Sequence, residues 1–136
     1  MKYDVIVIGE LNADIILNQI QSFPEVGKEK LAQHMNIALG SSSAIFASNL
    51  SSLGASVAFV GKVGKDMIGD YVLECLRSKG VDTSMVLQSD KLSTGLTVVM
   101  NFGEDRANVT FPGAMDSLII DNIPLDKFKQ AKHLHL

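Results

Sequence analysis

The sequence has little of what marks secreted, membrane-spanning or nucleic-acid-binding proteins. It contains one cysteine, so no disulfide can form within the chain. No apolar run approaches the roughly 20 residues that a membrane-spanning helix needs. No block of Lys or Arg interrupts a chain of net charge −3, which argues against nucleic acid as a partner. We therefore expect neither a membrane nor a nucleic acid to be a partner.

The N-terminus also lacks the features of a secretion signal. Its apolar run covers only residues 5–8 and is bracketed by Asp4 and Glu10, which is too short and too acidic for export. The single Cys75 is predicted to be an ordinary helix cysteine with no nucleophilic role. These features predict a cytoplasmic protein. A length of 136 residues with 46% hydrophobic and 20% charged residues is typical of one globular domain.

Strands and helices alternate along the predicted chain, which favours an α/β fold with a parallel sheet. The stretch "DVIVIG", residues 4–9, contains a continuous β-branched apolar run and ends in Gly, as in a strand that is buried on both faces. One predicted helix follows Gly40, carries its larger apolar residues at helical spacing and ends at Gly54, and a second begins after the cap Asp66 and ends at Gly80. The remaining predictions are strands at 30–39, 56–64 and 81–88, a hairpin of strands 94–102 and 107–111, one short helical turn within 112–128, and a final strand from 131 with Leu134 and Leu136 inward.

Serines open the first predicted helix, where Gly40 is followed by Ser41, Ser42 and Ser43. One interpretation is helix capping, because serine oxygens accept hydrogen bonds from the first free N–H groups of a helix. The other is a binding surface, since small side chains beside a glycine leave those N–H groups open to a polar ligand. The sequence alone leaves both interpretations open.

Asn12 and Asp14 follow the first strand and are two residues apart, so both side chains can face one side of an extended segment. A carboxylate accepts hydrogen bonds, and an amide both donates and accepts them, which suits a pair of neighbouring hydroxyl groups. The alternative is that both residues make only local turn hydrogen bonds. His133 and His135 share a strand face, but no carboxylate or cysteine at ligand spacing supports zinc binding, and we predict no metal site.

Several motifs together resemble one enzyme family. They are "VIGELNADIIL", "FPEVGK", the glycine-led stretch "ALGSSSAIFASNLSSLGASVAFVGKVGKDMIGDYVLECLRSKGVDTSMV" and "STGLTVVM". Their order and spacing are similar to those of the ribokinase/PfkB family of carbohydrate kinases. The stretch "GKVGKDMIGD" does not match a P-loop, and the first strand lacks the dinucleotide-binding glycine pattern.

The resemblance implies a ribokinase-like α/β fold, with a parallel Rossmann-like sheet flanked by helices and a small antiparallel β lid. Residues 1–136 would be its N-terminal portion, with lid strands at about 13–39 and 94–112. The implied activity is transfer of the ATP γ-phosphoryl group to a hydroxyl of a sugar, nucleoside or related alcohol. ATP and Mg would be the cofactors, and a homodimer through the lid is expected.

The same resemblance suggests substrate-binding residues at Asn12, Asp14, Gly40, Ser41, Ser42 and Thr94. An apolar cover from the lid would involve Met100, Phe102 and Phe111. Two positions depart from the family pattern, because Ser41 stands where a second glycine is expected and Ile45 where an asparagine is expected. Ile45 cannot bond to a hydroxyl, so the usual substrate pose is in question.

The family's catalytic aspartate lies in a "GAGD"-type motif near the far end, and no such motif occurs in this sequence. We therefore expect no catalytic residue in this chain, an ATP site mostly outside it, and no kinase activity of the 136 residues alone. The alternative function is a non-catalytic ligand-binding or structural module derived from the kinase fold.

Overall fold

The strands form two separate four-stranded sheets in the computed structural model, which describes residues 1–136. In chain order the strands and helices are β1 (Tyr3–Ile8), β2 (Asn12–Asn18), β3 (His34–Leu39), α1 (Ser42–Ser52), β4 (Val57–Gly64), α2 (Met67–Ser78), β5 (Asp82–Ser89), β6 (Gly95–Phe102), β7 (Asp105–Phe111) and β8 (Ala131–His135). Three 3-10 turns lie between β7 and β8, at Gly113–Ser117, Ile120–Asn122 and Leu125–Gln130.

The first sheet is entirely parallel and has the order β5-β4-β1-β8. Its two central strands are buried on both faces, as the apolar run within residues 4–9 predicted. Val7 and Phe59 pack on one side with residues of α1 and α2, and Ile6 and Val60 pack on the other with side chains from the 3-10 region. The α/β architecture with a parallel sheet is therefore confirmed.

The order of this sheet reverses direction at β1. From β1 the chain continues to β4 and then β5 on one side, and β8 later pairs with the other side of β1. A crevice therefore opens between the carboxyl ends of β1 and β8, where open α/β sheets bind ligands.

The second sheet has the order β3-β2-β6-β7 and combines two antiparallel pairings with one parallel pairing, between β2 and β6. It is therefore a mixed sheet and not the antiparallel one that was expected, because β2 and β6 run in the same direction. The predicted hairpin of β6 and β7 is present, with its turn at Gly103. Cross-strand partners place the rows Ile37–Ile15–Val98–Val109 and Leu39–Ala13–Leu96–Phe111 on one face. Asp14, Thr97 and Thr110 belong to a row on the opposite face.

The helix ends are largely as the sequence predicts. The Asp66 side chain caps α2 by accepting a hydrogen bond of 2.8 Å from the Gly69 amide. Gly54 and Gly80 follow the two helices with φ values of 100° and 88°, in the left-handed region that favours glycine.

Helix α1 buries a different face from the one its large apolar residues suggested. The buried residues are Ala44, Ala47 and Ser48, whereas Ile45 is 44% exposed and Leu53 is 84% exposed. The small side chains allow the helix to approach β1 closely, since a Cβ at Gly9 would lie 2.6 Å from the Cβ of Ser43.

Two features near the end of the chain correct the sequence-based expectations. Residues 112–128 contain three 3-10 turns or parts of turns instead of one short helical turn. Leu134 and Leu136 were expected to face inward but are 39% and 88% exposed, because β8 is the edge strand of its sheet.

No helix has both the length and the apolar character needed to cross a membrane.

Candidate functional site

Asn12 and Asp14 converge on Gly40, the residue that precedes the serine cluster. A Cβ placed on Gly40 would lie 2.6 Å from Asp14 Oδ1 and would also overlap Asn12 Oδ1. The backbone contributes to the same junction, because the Gly40 amide donates to the Asn12 carbonyl at 2.9 Å. Glycine is required here by close approach, and the Asn12 and Asp14 side chains meet the backbone just before α1.

The Asn12 amide is buried and held from two sides. Its Nδ2 donates to Thr97 Oγ1 at 3.2 Å and to Asp14 Oδ1 at 3.4 Å. Its Oδ1 is buried without a hydrogen-bond partner, and it is the only buried side-chain oxygen or nitrogen in this condition. An unpaired buried acceptor is costly, so Asn12 Oδ1 is suited to accept a hydrogen from a ligand.

Asp14 is partly buried beside this acceptor. Burial raises the pKa of its carboxyl group, and the hydrogen bond from Asn12 offsets part of that effect. When ionised, the carboxylate only accepts hydrogen bonds. Asn12 Oδ1 and Asp14 Oδ1 are therefore two acceptor oxygens that lie together against the Gly40 backbone.

Ser41 does not cap α1 with its side chain. Its hydroxyl donates to the Glu10 carbonyl at 2.7 Å and lies 3.0 Å from the Ser43 hydroxyl. Its backbone has φ 67°, which non-glycine residues rarely adopt. The capping interpretation therefore fails for this hydroxyl, and the backbone conformation is the one that a glycine would hold without strain.

A cleft of about 520 Å³ opens at the reversal point of the first sheet. Gly9 and Glu10 follow β1, His135 and Leu136 come from the end of β8, and α1 contributes Ser42, Ser43 and Phe46; Ile8 completes the lining. Ser42 is exposed in this cleft, and Phe46 stacks on His135 with ring centroids 4.1 Å apart. The serines that follow Gly40 therefore lie between the Asn12–Asp14 pair, which contacts Gly40, and a cleft of mixed polar and apolar lining at the amino end of α1.

Thr94 lies in a separate hydrogen-bond network. Its side chain is 3% exposed, and its hydroxyl donates to Asp66 Oδ1 at 2.7 Å and accepts from the Gly64 amide at 2.9 Å. The Thr94 amide also donates to Asp66 Oδ2 at 2.8 Å. Burial alone raises the pKa of Asp66, but these hydrogen bonds and that from Gly69 outweigh it and lower the pKa. Thr94 ties β6 to α2, and its predicted contact with substrate stays a prediction.

The other residues considered from the sequence lie apart from this pair. Phe102 packs edge-on against Phe23, with centroids 5.9 Å apart, and Phe111 is 55% exposed on the apolar face of the second sheet. Cys75 is unpaired and partly buried in α2. No three His, Cys, Asp or Glu side chains come together as a metal site.

A larger cavity, of about 830 Å³, lies at the far end of the second sheet and has a wholly polar lining that includes Asn18, His34 and Arg106. It contains none of the predicted site residues. Its lining mixes acidic, basic and neutral groups, whereas the Asn12–Asp14 pair has an unpaired buried acceptor, so we assign the candidate site to the pair.

Sequence reasoning missed Thr97 and Thr110, which meet at 3.0 Å between their hydroxyl oxygens. Thr97 is 8% exposed and contacts Asn12, which is 85 residues earlier in the chain. Thr97 is a polar residue within the otherwise apolar strand β6, and this pattern could have drawn attention to it. Its contact with Asn12 could not be predicted, because that contact depends on the pairing of β2 with β6.

The matching family model is that of the pfkB family carbohydrate kinases, and it covers residues 2–136. The chain belongs to this family. It is 32% identical over 143 residues to the 2-dehydro-3-deoxygluconokinase of Bacillus subtilis, an alignment that covers all of this chain and 41% of the relative. It is also 29% identical over 99 residues to the ribokinase of Haemophilus influenzae, covering 73% of this chain and 32% of the relative.

Solved structures of the family share the fold. The PfkB protein from Polaromonas superposes with a TM-score of 0.84 at 22% identity, covering 98% of this chain and 44% of that one. The ribokinase of Arabidopsis thaliana, solved with ribose and ATP, superposes with a TM-score of 0.76 at 27% identity, covering 84% of this chain and 37% of that one. The ribokinase-like fold is therefore confirmed, and the chain spans less than half the length of these relatives.

Proposed function

We propose that this chain is the acceptor-binding portion of a PfkB-type kinase, which transfers the ATP γ-phosphoryl group to a hydroxyl of a sugar, nucleoside or related alcohol. Asn12, Asp14, Gly40, Ser41 and Ser42 would bind the acceptor. The second sheet, with strands inside the predicted ranges 13–39 and 94–112, would act as the lid. Thr94 would act by fixing the start of lid strand β6 against α2.

One observation carries this proposal. The unpaired oxygen of Asn12 and the carboxylate of Asp14 lie together against the Gly40 backbone, in a chain that matches the family along residues 2–136. Two acceptor oxygens beside a glycine backbone suit the hydroxyl groups of a polyol. The adjoining cleft at the carboxyl ends of the parallel strands is where ligands of such sheets bind.

ATP and Mg are the proposed cofactors of the full-length enzyme. ATP supplies the phosphoryl group, and Mg stabilises its negative charge. The 136 residues contain no cluster of three metal-binding side chains, so they do not fit a magnesium site of their own, and we derive no step through the metal. The ATP site and the catalytic base would lie mostly outside this chain.

The contribution of this chain is to bind and orient the acceptor. Hydrogen bonds to Asn12 and Asp14 would fix the position of neighbouring hydroxyls. The lid would exclude water, which matters because water competes with the acceptor for the phosphoryl group. The names of the relatives, which include gluconate-derivative kinases and ribokinases, support a sugar or sugar acid as the acceptor.

Ligand binding tests this proposal directly. D-ribose, D-fructose and D-gluconate are titrated into the isotope-labelled chain while backbone NMR signals are recorded. A binding sugar is expected to shift the signals of Asp14 and Gly40. Gly40→Ala is expected to abolish these shifts, because its Cβ would occupy the space beside the two acceptors.

The variant Asp14→Asn tests the role of the negative charge in the same binding experiment. It is expected to weaken binding about tenfold, since a hydrogen bond to a charged group contributes roughly 1.5–3 kcal/mol. Asp105→Asn, at the exposed end of β7 in the same sheet, is the matched control and is expected to bind like the unaltered chain. Equal binding by the two variants would contradict the assignment of Asp14.

The chain alone is expected to show no kinase activity. The assay mixes the purified chain with MgATP and each sugar and measures ADP release and sugar phosphate. ATP-dependent phosphorylation by the 136 residues would contradict the proposed location of the catalytic base.

The second candidate is a non-catalytic module derived from the same fold. Ser41 and Ile45 favour it, because they depart from the family pattern and Ser41 holds its backbone at φ 67°. A module that is only structural would show no thermal shift with any sugar or nucleoside, whereas the acceptor-binding portion of a kinase would be stabilised by at least one.

We also propose a homodimer through the lid. Its apolar face carries Met35, Ile37, Val109 and Phe111 at exposures of 61%, 41%, 62% and 55%. A contiguous exposed apolar surface of this kind is typical of an interface.

A further inference from the structure

Thr97 is the residue that holds the Asn12 amide in the second sheet. It lies on β6 directly opposite Asp14 on β2, and both side chains share the face that meets Gly40. We infer that Thr97, supported by Thr110, is a positioning residue that makes Asn12 and Asp14 an acceptor-only pair, selective for a substrate that presents two neighbouring hydroxyl groups. This inference rests on the proposed function, since it assumes that the pair binds the acceptor substrate.

The orientation of the Asn12 amide follows from its neighbours. The ionised Asp14 carboxylate has no hydrogen to donate, so the amide nitrogen must face it and the amide oxygen cannot. The second hydrogen on Nδ2 then points to Thr97 Oγ1 at 3.2 Å. Both donors of Asn12 are used, and only its oxygen remains free.

Thr110 completes the network on the neighbouring strand β7. The Thr97 oxygen accepts from Asn12, so its own hydroxyl hydrogen is available for Thr110 Oγ1 at 3.0 Å. Donation in one direction, from β2 through β6 to β7, gives each of the three side chains a partner. Without the Thr97 hydroxyl, the buried Asn12 nitrogen would lose a partner and the amide would no longer be fixed.

The fixed amide has a consequence for substrate choice. Asn12 Oδ1 and Asp14 Oδ1, which lie together against Gly40, present acceptors and no donor. A hydroxyl can donate to each of them. A carbonyl oxygen or a methylene group at the same position would leave a buried acceptor unpaired, which sites of this kind reject strongly.

The first experiment needs no ligand. The Asn12 side-chain NH₂ signals are assigned in the unaltered chain, in Thr97→Val and in Thr97→Ser, and their hydrogen exchange with water is measured. Exchange is expected to be at least tenfold faster in Thr97→Val and near normal in Thr97→Ser, which keeps the hydroxyl. Unchanged exchange in Thr97→Val would overturn the positioning role.

Thr83→Val is the matched control. Thr83 is also 8% exposed, and its hydroxyl accepts from Arg77 Nε at 2.8 Å, away from the pair. It is expected to lose stability like Thr97→Val while leaving Asn12 exchange unchanged. Should Thr97→Val fail to fold, Thr110→Val removes the far end of the network at an exposed position, and a smaller acceleration of Asn12 exchange is expected there. No acceleration would then count against the network.

The second experiment measures substrate choice by NMR titration. D-ribose is compared with 2-deoxy-D-ribose, and D-gluconate with 2-keto-D-gluconate, in which a ketone replaces one hydroxyl. The unaltered chain is expected to prefer the hydroxylated member of at least one pair by about tenfold, and Thr97→Val to reduce the ratio to about threefold or less. Thr83→Val should keep the full ratio.

The outcomes separate the two hypotheses. Binding of none of the four probes by the unaltered chain would contradict the proposed acceptor site, while the exchange experiment would still decide the role of Thr97. Binding with equal affinity within both pairs would overturn the acceptor-only inference and leave the site intact. A preference that survives in Thr97→Val would overturn the role of Thr97 alone.

Discussion

At the scale of single residues, Ser41 is the position where side chain and backbone requirements conflict. Its backbone at φ 67° favours glycine, but its hydroxyl bonds to Glu10 and Ser43. Both Ser41→Gly and Ser41→Ala remove the hydroxyl, and only the glycine relieves the backbone. We expect Ser41→Gly to exceed Ser41→Ala by about 1 kcal/mol in free energy of unfolding, measured by urea denaturation.

A matched pair at Ser52 controls for the intrinsic difference between glycine and alanine. Ser52 lies in the last turn of α1, where Ala is favoured over Gly. The order of stability at Ser52 should therefore be the reverse of that at Ser41. If alanine is the more stable substitution at both positions, Ser41 does not hold the left-handed backbone.

Local spacing was sufficient to predict some site residues but not others. Asn12 and Asp14 could be predicted to share a face because strand side chains alternate, and their meeting with Gly40 agrees with that. Thr97 could not be linked to Asn12, because the link depends on the register between β2 and β6, strands separated by more than 70 residues. The left-handed backbone of Ser41 was equally hidden, since serine is not a residue that indicates it.

At the scale of elements, Asp66 joins the start of α2 to the start of β6. Its carboxylate accepts from the Gly69 amide and from both the amide and the hydroxyl of Thr94. Asp66→Ala removes a helix cap and leaves the buried Thr94 groups without their partner. We expect a loss of about 2–3 kcal/mol in free energy of unfolding, measured in urea.

Thr94→Val should cost less than Asp66→Ala, because the helix cap remains. Asp70→Ala, in the exposed first turn of α2, is the control and should change the free energy of unfolding by less than about 0.5 kcal/mol. Equal losses in Asp66→Ala and Asp70→Ala would mean that helix charge, and not the junction with β6, determines the effect.

Asp82 makes the first sheet sensitive to acid. Burial by itself raises its pKa, but hydrogen bonds from the Tyr3 hydroxyl at 2.6 Å and from Ser84 outweigh it and hold the pKa at about 2, below the ordinary 3.8. Its stabilising effect is therefore full above about pH 4 and is lost as the pH falls toward 2. We expect Asp82→Asn to lower the unfolding temperature at pH 7. Between pH 4 and pH 2, the unfolding temperature of this variant should decrease less than that of the unaltered chain.

Asp121→Asn, in an exposed 3-10 turn, is the control for this pH series. Its unfolding temperature should fall with acid as steeply as that of the unaltered chain. A fall in Asp82→Asn as steep as in the control would contradict the role given to the Tyr3–Asp82 hydrogen bond.

The elements themselves were more predictable than the faces they bury. The two helices and the strands of the first sheet were indicated by apolar runs and by Asp66, Gly54 and Gly80. The buried face of α1 does not follow side-chain hydrophobicity, because Ile45 and Leu53 are exposed while the small residues Ala44 and Ala47 pack in the core. The short distance between the backbones of α1 and β1 determines which face of α1 packs against the sheet, and this distance cannot be read from the sequence.

At the scale of the whole molecule, the two sheets differ in how well they are covered. The first has helices on one face and the 3-10 region on the other. The second sheet exposes much of its apolar face, where the row Ile37–Ile15–Val98–Val109 crosses all four strands. The hydrophobic pattern of the sequence indicated the presence of these strands. The parallel pairing of β2 with β6, which joins them into one sheet, is visible only in the structure.

This uncovered face leads to a prediction of self-association. We expect light scattering to give a mass of twice 14.7 kDa for the purified chain. Val109→Lys would place a charge on the exposed apolar face at its β7 edge and should give a monomer, since burying an unpaired charge is strongly unfavourable. The residue is already 62% exposed, so the substitution should not prevent folding.

Asn108→Lys adds the same charge one residue earlier, on the opposite face of β7, and should remain a dimer. The competing interface is the edge strand β8, where Leu134 and Leu136 are exposed and backbone groups are free to pair with another strand. A dimer that persists in Val109→Lys and dissociates in Leu134→Lys would assign association to that edge. A monomeric unaltered chain would contradict both interfaces.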